Sequence, residues 1–332
     1  MYKTIAGEKY LSSRIKNRII FPILLCMIVA VNVMGQDKER NTFYIKPLSY
    51  DFFFLEDLII HSPAIGVELF LGDHNVPFNE VNRRFSASAN YRAVIFQEKP
   101  VIEFDGEYDE NATSHIPWLF HHIDINLDGR IKRHQLLLKF FSDAEVPLAG
   151  GKDSFQIGAA WGYEIIRRSN WSAILGAAYS YGRVWLFSPY FRLGIDTDKF
   201  VLSLNSYFPH IELSFTIAPE SRVRFTTDIR MDTYREDYEW IFWYRIFGIG
   251  VKASTVMYAL YDNIKDDFVC PCGHTERITF WLEFGSVFAV MDISFLRIEA
   301  GMITGDYIYD KSSADGPGKG FYISIKGAIP IL

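Results

Sequence analysis

The chain is poor in the features that usually settle a protein's class. Three cysteines in 332 residues exclude a disulfide framework as the source of stability. Beyond residue 31 there is no apolar run of the roughly 18 or more residues that a membrane helix needs. Basic side chains are outnumbered, 34 Lys and Arg against 40 Asp and Glu, and no stripe of them stands out along the chain. That balance excludes nucleic acid as a partner. No G-x-S-x-G nucleophile motif occurs, and no motif for a cofactor. Charge itself is sparse at 22%, while aromatics reach 16%, so the abundant material is rings and apolar side chains without a helical span to hold them.

The first residues explain where such a chain goes. A basic stretch (Lys3, Lys9, Arg14, Lys16, Arg18) precedes an apolar run from Ile19 to Val31 that Pro22 interrupts. Val33 and Gly35 stand at the minus-three and minus-one positions before Gln36, so residues 1–35 read as a cleaved secretory signal peptide. The alternative, an uncleaved anchor, has too short a run. The sequence divides further into 36–64, an N-terminal periplasmic segment or first strand, and 65–332, a single domain without a linker or internal repeat.

Within that domain the hydrophobic period is two. In "RFSASANYRAVIF", Phe85, Ala87, Ala89, Tyr91, Ala93 and Ile95 form one face against Ser86, Ser88, Asn90 and Arg92. "FQIGAAWGYEI" and "WSAILGAAYSYG" repeat the pattern around the polar turn "RRSN". "SRVRFTTDIRMD" sets Arg222, Arg224, Thr226, Asp228, Arg230 and Asp232 opposite Val223, Phe225, Thr227, Ile229 and Met231. Long strands with one apolar and one polar face, on an exported chain without helical spans, define an all-β antiparallel transmembrane barrel, because lipid admits only helices and closed barrels. A soluble sandwich also alternates, but its strands are shorter and its inner face is apolar. Connections that alternate between long and short support the barrel: "GDHNVPFNEVNR", "EKP", "NATSHIP", "DGR", "SDAEVPLAGGKD", "RRSN". We expect about 12–16 strands, centrally 14, beginning near Ile65 to Leu71 and ending with Phe321 to Ile329.

One stretch offers a competing reading. In "HHIDINLDGR", Asp124, Asn126, Asp128 and Gly129 match the start of a calcium-binding loop. Gln135 stands where that loop wants a bidentate glutamate, and Pro117 opposes the helix that should precede it. The expectation is two strands around a periplasmic turn, with no metal. Cys270 and Cys272 in "VCPCGH" read as a loop disulfide or paired thiols; zinc with His274 lacks a clear fourth ligand.

With "MGQDKE" after the cleavage site, hairpins such as "WGYEIIRRSNWSAILGAAYSYG" and the stretch "FVLSLNSYFPHIELSFTIAPESRVRFTTDIR", the chain resembles the uncharacterised outer-membrane β-barrel proteins common in Bacteroidetes. The resemblance implies the outer membrane of a Gram-negative bacterium as location, with outer-membrane lipid, lipopolysaccharide and the barrel assembly machinery as partners. The terminal "AIPIL" departs from the aromatic ending that such barrels often use in assembly.

Three functions follow as expectations. In the first, the barrel is a pore or transport-related protein with unknown substrate, its lumen lined by Arg92, Glu103, Asp105, Asp124, Asp128, Glu212, Arg222, Arg224, Asp228 and Arg230. The same charges, mixed in sign, could instead pair across a plugged lumen and hold the wall together. In the second, Ser206 and His210 of "NSYFPHIE" serve a lipid hydrolase, although their spacing fits no lipase motif. In the third, a non-transporting surface barrel binds a partner through the cysteine loop or the glycine-rich loop from Gly305 to Gly320.

Overall fold

The computed structural model describes residues 42–72, 83–104, 106–110, 113, 116–145, 155–168, 170–182, 185–207, 210–230, 235–259, 279–293, 296–309 and 312–330. The sheet has 19 pieces, of which three are two-residue segments (Glu103–Phe104, Glu107–Tyr108 and Ile329–Pro330). The other sixteen build the wall. They are β1 (Thr42–Leu55), β2 (Ile59–Gly72), β3 (Arg83–Phe96), β4 (Leu119–Ile131), β5 (His134–Ala144), β6 (Gln156–Arg167), β7 (Trp171–Gly182) and β8 (Leu186–Asp196). The second half is β9 (Phe200–Asn205), β10 (His210–Ala218), β11 (Ser221–Arg230), β12 (Arg235–Tyr244), β13 (Phe247–Ala259), β14 (Thr279–Ile293), β15 (Leu296–Tyr309) and β16 (Ser312–Gly327).

Each strand pairs antiparallel with the next, and β1 closes on β16 with Asp51 opposite Ser324 and Leu55 opposite Gly320. Closure leaves the wall without a free edge, as a sheet in lipid requires. The outer face is the apolar one: Ile249, Met302 and Phe187 are 67%, 73% and 69% exposed, with no protein covering them. At about 25 cal/mol per Å² such a surface would be costly in water and is stable in hydrocarbon. The fold is that of an antiparallel transmembrane β-barrel, at the upper end of the expected strand number.

Strand direction defines two rims. One, the turn rim, carries the described chain ends and the tight turns Lys132–Arg133, Pro219–Glu220 and Arg245–Ile246. Lys132 and Arg245 each open their turn with positive φ, 54° and 53°. The other, the loop rim, carries the connections 97–118, 145–155 and 260–278 and the tight turn Glu56–Leu58. The ten-residue connection 73–82, expected as a loop opposite the short turns, instead joins β2 to β3 at the turn rim. Periplasmic turns of such barrels are short and extracellular loops long.

Several boundaries differ from the sequence reading. The wall begins at Thr42, one strand earlier than the alternation near Ile65 indicates, since Ile65 to Leu71 belong to β2. "DGR" is not a turn: β4 runs through Gly129 and reverses at Lys132, because Asp128 and Gly129 pair with Leu137 and Leu136 in the ladder. "EKP" is not a hairpin turn either. The chain from Gln97 to Trp118 is one connection, in which Ile102 and Ile116 are fully buried against Leu55, Phe96 and Phe120. Two buried isoleucines contribute about 1.5–3 kcal/mol each, and Pro100 and Pro117 remove backbone donors, so the segment tucks in and adds no wall strand. The stretch from Gly305 to Gly320 is mostly strand, in β15 and β16, with a bulge between Gly305 and Tyr307. Its glycines allow close backbone approach: a Cβ on Gly320 would meet the Phe54 carbonyl oxygen at 1.8 Å.

The interior is filled unevenly. A first apolar cluster joins the tucked connection to Ile303, Tyr307 and Tyr322. A second comprises Leu137, Phe141, Ala160, Ile174, Ala178, Tyr190 and Tyr207. The small inward residues of β6 make room for it, since a Cβ on Gly162 would lie 2.8 Å from Tyr190 Cε1. At the loop rim, Ala144 at the end of β5 and Ala259 at the end of β13 form one parallel bridge pair. These strands lie on opposite sides of the ring, so the lumen is pinched there.

Candidate functional site

The chemistry of this barrel lies on its inward face. Register sets which residues share that face: Arg92 opposes His122, and Arg222, Arg224 and Thr226 oppose Trp243, Ile241 and Glu239. On β11, β12, β15 and β16 the charges form a continuous belt. Arg224 Nη2 lies 3.1 Å from Glu239 Oε1, and Arg297 Nη2 lies 3.4 Å from Glu239 Oε2 and 2.6 Å from Glu299 Oε1. Glu299, 2% exposed, also meets Lys326 Nζ at 4.0 Å. The belt continues onto β1 and β3: Ser324 Oγ donates to Asp51 Oδ1 at 2.5 Å, and Arg92 Nη1 lies 3.1 Å from Asp51 Oδ2. Trp243 stands between two guanidinium groups, Arg222 at 5.3 Å and Arg297 at 5.9 Å from its ring centre.

A second network occupies the wall from β4 to β8. Gln135 Nε2 donates to Asp128 at 2.8 and 3.1 Å, Tyr190 Oη donates to Gln135 Oε1 at 3.1 Å, and Arg192 Nη1 donates to Asp128 Oδ2 at 3.4 Å. Nearer the turn rim, Glu164 Oε2 is shared by Arg130 Nη2 and Arg167 Nε, each at 2.5 Å. Arg130 and Glu164 are both 1% exposed, a depth tolerated only because they are paired.

Cavities remain between these walls. One of about 340 Å³ lies between β2–β5 and β8–β9, with Glu68, Asp128, Lys139 and Arg192 among Ser86, Ser88, Asn126, Ser203 and Asn205. Its lining combines carboxylates, cations and neutral hydrogen-bonding groups. Another, about 180 Å³, touches Asp51, Arg92, Lys252, Glu299 and Lys326.

The remaining residues singled out from the sequence fall as follows. Asp124 is buried on β4 and accepts a hydrogen bond from Asn126 Nδ2. Glu212 is half-buried on β10, opposite Ser203 and Thr226. Glu103 is not on a wall strand: it lies in the tucked connection, where its backbone bridges Asp315 of β16. Asp105, Cys270 and Cys272 lie outside the described residues, as do the side chains of Asp228 and Arg230, whose backbones pair with His210, Asp237 and Arg235. Ser206 Oγ accepts from Phe191 N at 2.7 Å and donates to the Pro189 carbonyl at 3.4 Å, fastening the end of β9 to β8. Asp124 and Asp128 sit in an extended strand, and no group of three metal-binding side chains occurs among the described residues.

Sequence reasoning missed Asp51, Glu164, Glu239, Arg297, Glu299 and Lys326. The signal was present as single charges inside apolar strands, "SYDFFFL", "WGYEII", "YEWIFW", "FLRIEAG" and "YISIKG". Each is expensive to bury alone and so announces a partner that the sequence does not name. Outside the wall, Arg245 grips Glu220 with Nε and Nη2 at 2.9 Å each, and these hydrogen bonds hold the Glu220 carboxyl below the ordinary carboxylate range.

An apolar exterior around an ionic interior defines the class as a transmembrane β-barrel. No family model and no curated protein matches the chain. Among solved structures it is similar to the outer membrane protein OpdK from Pseudomonas aeruginosa, at TM-score 0.37 and 7% identity over 88% of this chain and 99% of that one. Pseudomonas aeruginosa OpdQ follows at TM-score 0.35 and 10% identity, over 88% and 99%. Acinetobacter baumannii OccAB3 has TM-score 0.33 and 6% identity, over 88% and 99%.

Proposed function

We propose that the protein is an integral outer-membrane barrel of the uncharacterised Bacteroidetes type that passes small polar solutes through a narrow, charge-lined lumen. The observation that carries the reading is the inversion of polarity: Asp51, Arg130, Glu164 and Glu299 are buried inside the ring while Phe187, Ile249 and Met302 stand exposed outside it. A wall with ionised groups of both signs favours solutes that offer hydrogen bonds over simple anions or cations. The cavity of about 340 Å³, close to the lower end of small-molecule sites, limits their size.

The test is planar-bilayer recording on heat-modifiable protein extracted from the outer membrane. Discrete conductance steps smaller than those of an open sixteen-strand pore are expected. A second reading, a barrel that presents loops to a partner and does not transport, draws on the bridge between Ala144 and Ala259 across the loop rim. Folded protein that inserts but never conducts would overturn the pore reading in its favour.

A further inference from the structure

The turn rim is electrically lopsided. Where β4–β7 reach it, two neighbouring turns bring together Arg130, Lys132, Arg133, Arg167 and Arg168 around a single carboxylate, Glu164. Glu164 is taken up by Arg130 and Arg167, and Lys132, Arg133 and Arg168 are left exposed. Among the described residues none of these three is in an ion pair. The turns are fastened to each other: Glu164 N donates to the Arg133 carbonyl at 2.7 Å, and Arg167 Nη2 donates to the Lys132 carbonyl at 2.5 Å. The next turn bounds the patch with Asp196 and Asp198, and beyond it Arg245 is occupied by Glu220.

Directly beside the cations, on the outer face, the wall is aromatic and apolar. His134 stacks on Trp161 at 5.8 Å and meets Tyr163 edge-on at 5.2 Å, and Trp161 is half exposed. Arg168 lies 5.6 Å over the Trp171 ring, which fixes its guanidinium at the level where the apolar wall ends. A soluble anion would need only the cations, and an acidic protein would find the rings on the lipid side of the wall. A ligand that uses both has a negative head and an apolar tail.

We propose that this face is a binding site for one anionic phospholipid of the leaflet at the turn rim, its phosphate held by Lys132, Arg133 and Arg168 and its acyl chain laid along Trp161 and Leu136. The proposal rests on the membrane reading above and is independent of transport. It also makes the cationic rim a device for seating the barrel at a fixed depth, because a held headgroup defines the interface.

Full-length protein in detergent would be offered an equimolar mixture of phosphatidylglycerol and phosphatidylcholine, and the retained lipid identified by native mass spectrometry. Phosphatidylglycerol should be retained with a preference of about tenfold or more, since each basic side chain near the headgroups adds several-fold. The variant Lys132→Gln/Arg133→Gln/Arg168→Gln should bring the preference close to unity, and Arg168→Gln alone should lower it several-fold. Arg245→Gln, three turns further along the same rim, should leave it intact. A gel shift on heating reports folding for each, so loss of the barrel is distinguishable from loss of the site. Equal retention of the two lipids by the wild-type protein overturns the proposal, as does a preference that survives in the folded triple variant.

Discussion

Arg192 on β8 reaches Asp128 on β4, its Nη1 at 3.4 Å from the Asp128 carboxylate, with three strands of wall between them in sequence. The pair forms one side of the cavity of about 340 Å³, and Asp128 is fixed independently by Gln135. A guanidinium and a carboxylate paired on that side set the charge that the lining presents to the cavity.

If the lumen conducts, Arg192→Ala should widen it and turn its preference toward cations, whereas Asp128→Asn should turn it toward anions. One unit charge at contact distance in a wet passage is worth about 1 kcal/mol, a roughly fivefold change in relative permeability. Reversal potentials in a salt gradient give the measurement, and identical values for both variants would contradict the assignment.

Glu164 neutralises two arginines in a site where it and Arg130 are both 1% exposed. Removing it leaves an uncompensated buried cation, so Glu164→Gln should destabilise the folded barrel by about 3–5 kcal/mol. Urea unfolding from vesicles reads the loss. Arg167→Gln should cost much less, because Arg130 stays paired.

Ala144 and Ala259 are bridge partners across the ring. The double variant Ala144→Cys/Ala259→Cys, with Cys270 and Cys272 replaced by serine, should cross-link under mild oxidation in the folded protein and not in the denatured one. The cross-linked band should migrate faster after boiling, since the chain between the two positions stays looped.

The Glu220–Arg245 grip at the turn rim gives a pH signature. Its carboxyl is depressed in the fold by the hydrogen bonds from Arg245, so the contribution is present above the unfolded carboxylate range and is lost as pH falls through the depressed value. The stability gap between wild type and Glu220→Gln should therefore hold at neutral pH and vanish in acid. Both groups are exposed, which keeps the gap small and sensitive to salt.

Period-two alternation in "RFSASANYRAVIF" and "FQIGAAWGYEI" was enough to identify strands with one lipid-compatible face, because an alternating side-chain pattern is a local property of extended backbone. The connection from Gln97 to Trp118 was misread as a turn, a strand and a loop. Its local letters alternate, and only the burial of Ile102 and Ile116 against Leu55 and Phe120 shows that it folds inward. The turn that "DGR" suggests at 128–130 lies instead at Lys132–Arg133, because glycine marks turns and also tolerates a strand.

From the sequence alone came the two-faced strands, the approximate positions of many turns and the charged inner faces of β3, β4 and β11, all consequences of residues close together in the chain. Tertiary structure alone decided that β1 closes on β16, that Asp51 meets Arg92 and Ser324, that β5 touches β13, and that two separate turns merge into one basic rim. The reason is physical: ring closure and register bring together residues far apart in sequence, and a charge's pattern along one strand carries no information about which strand will supply its partner.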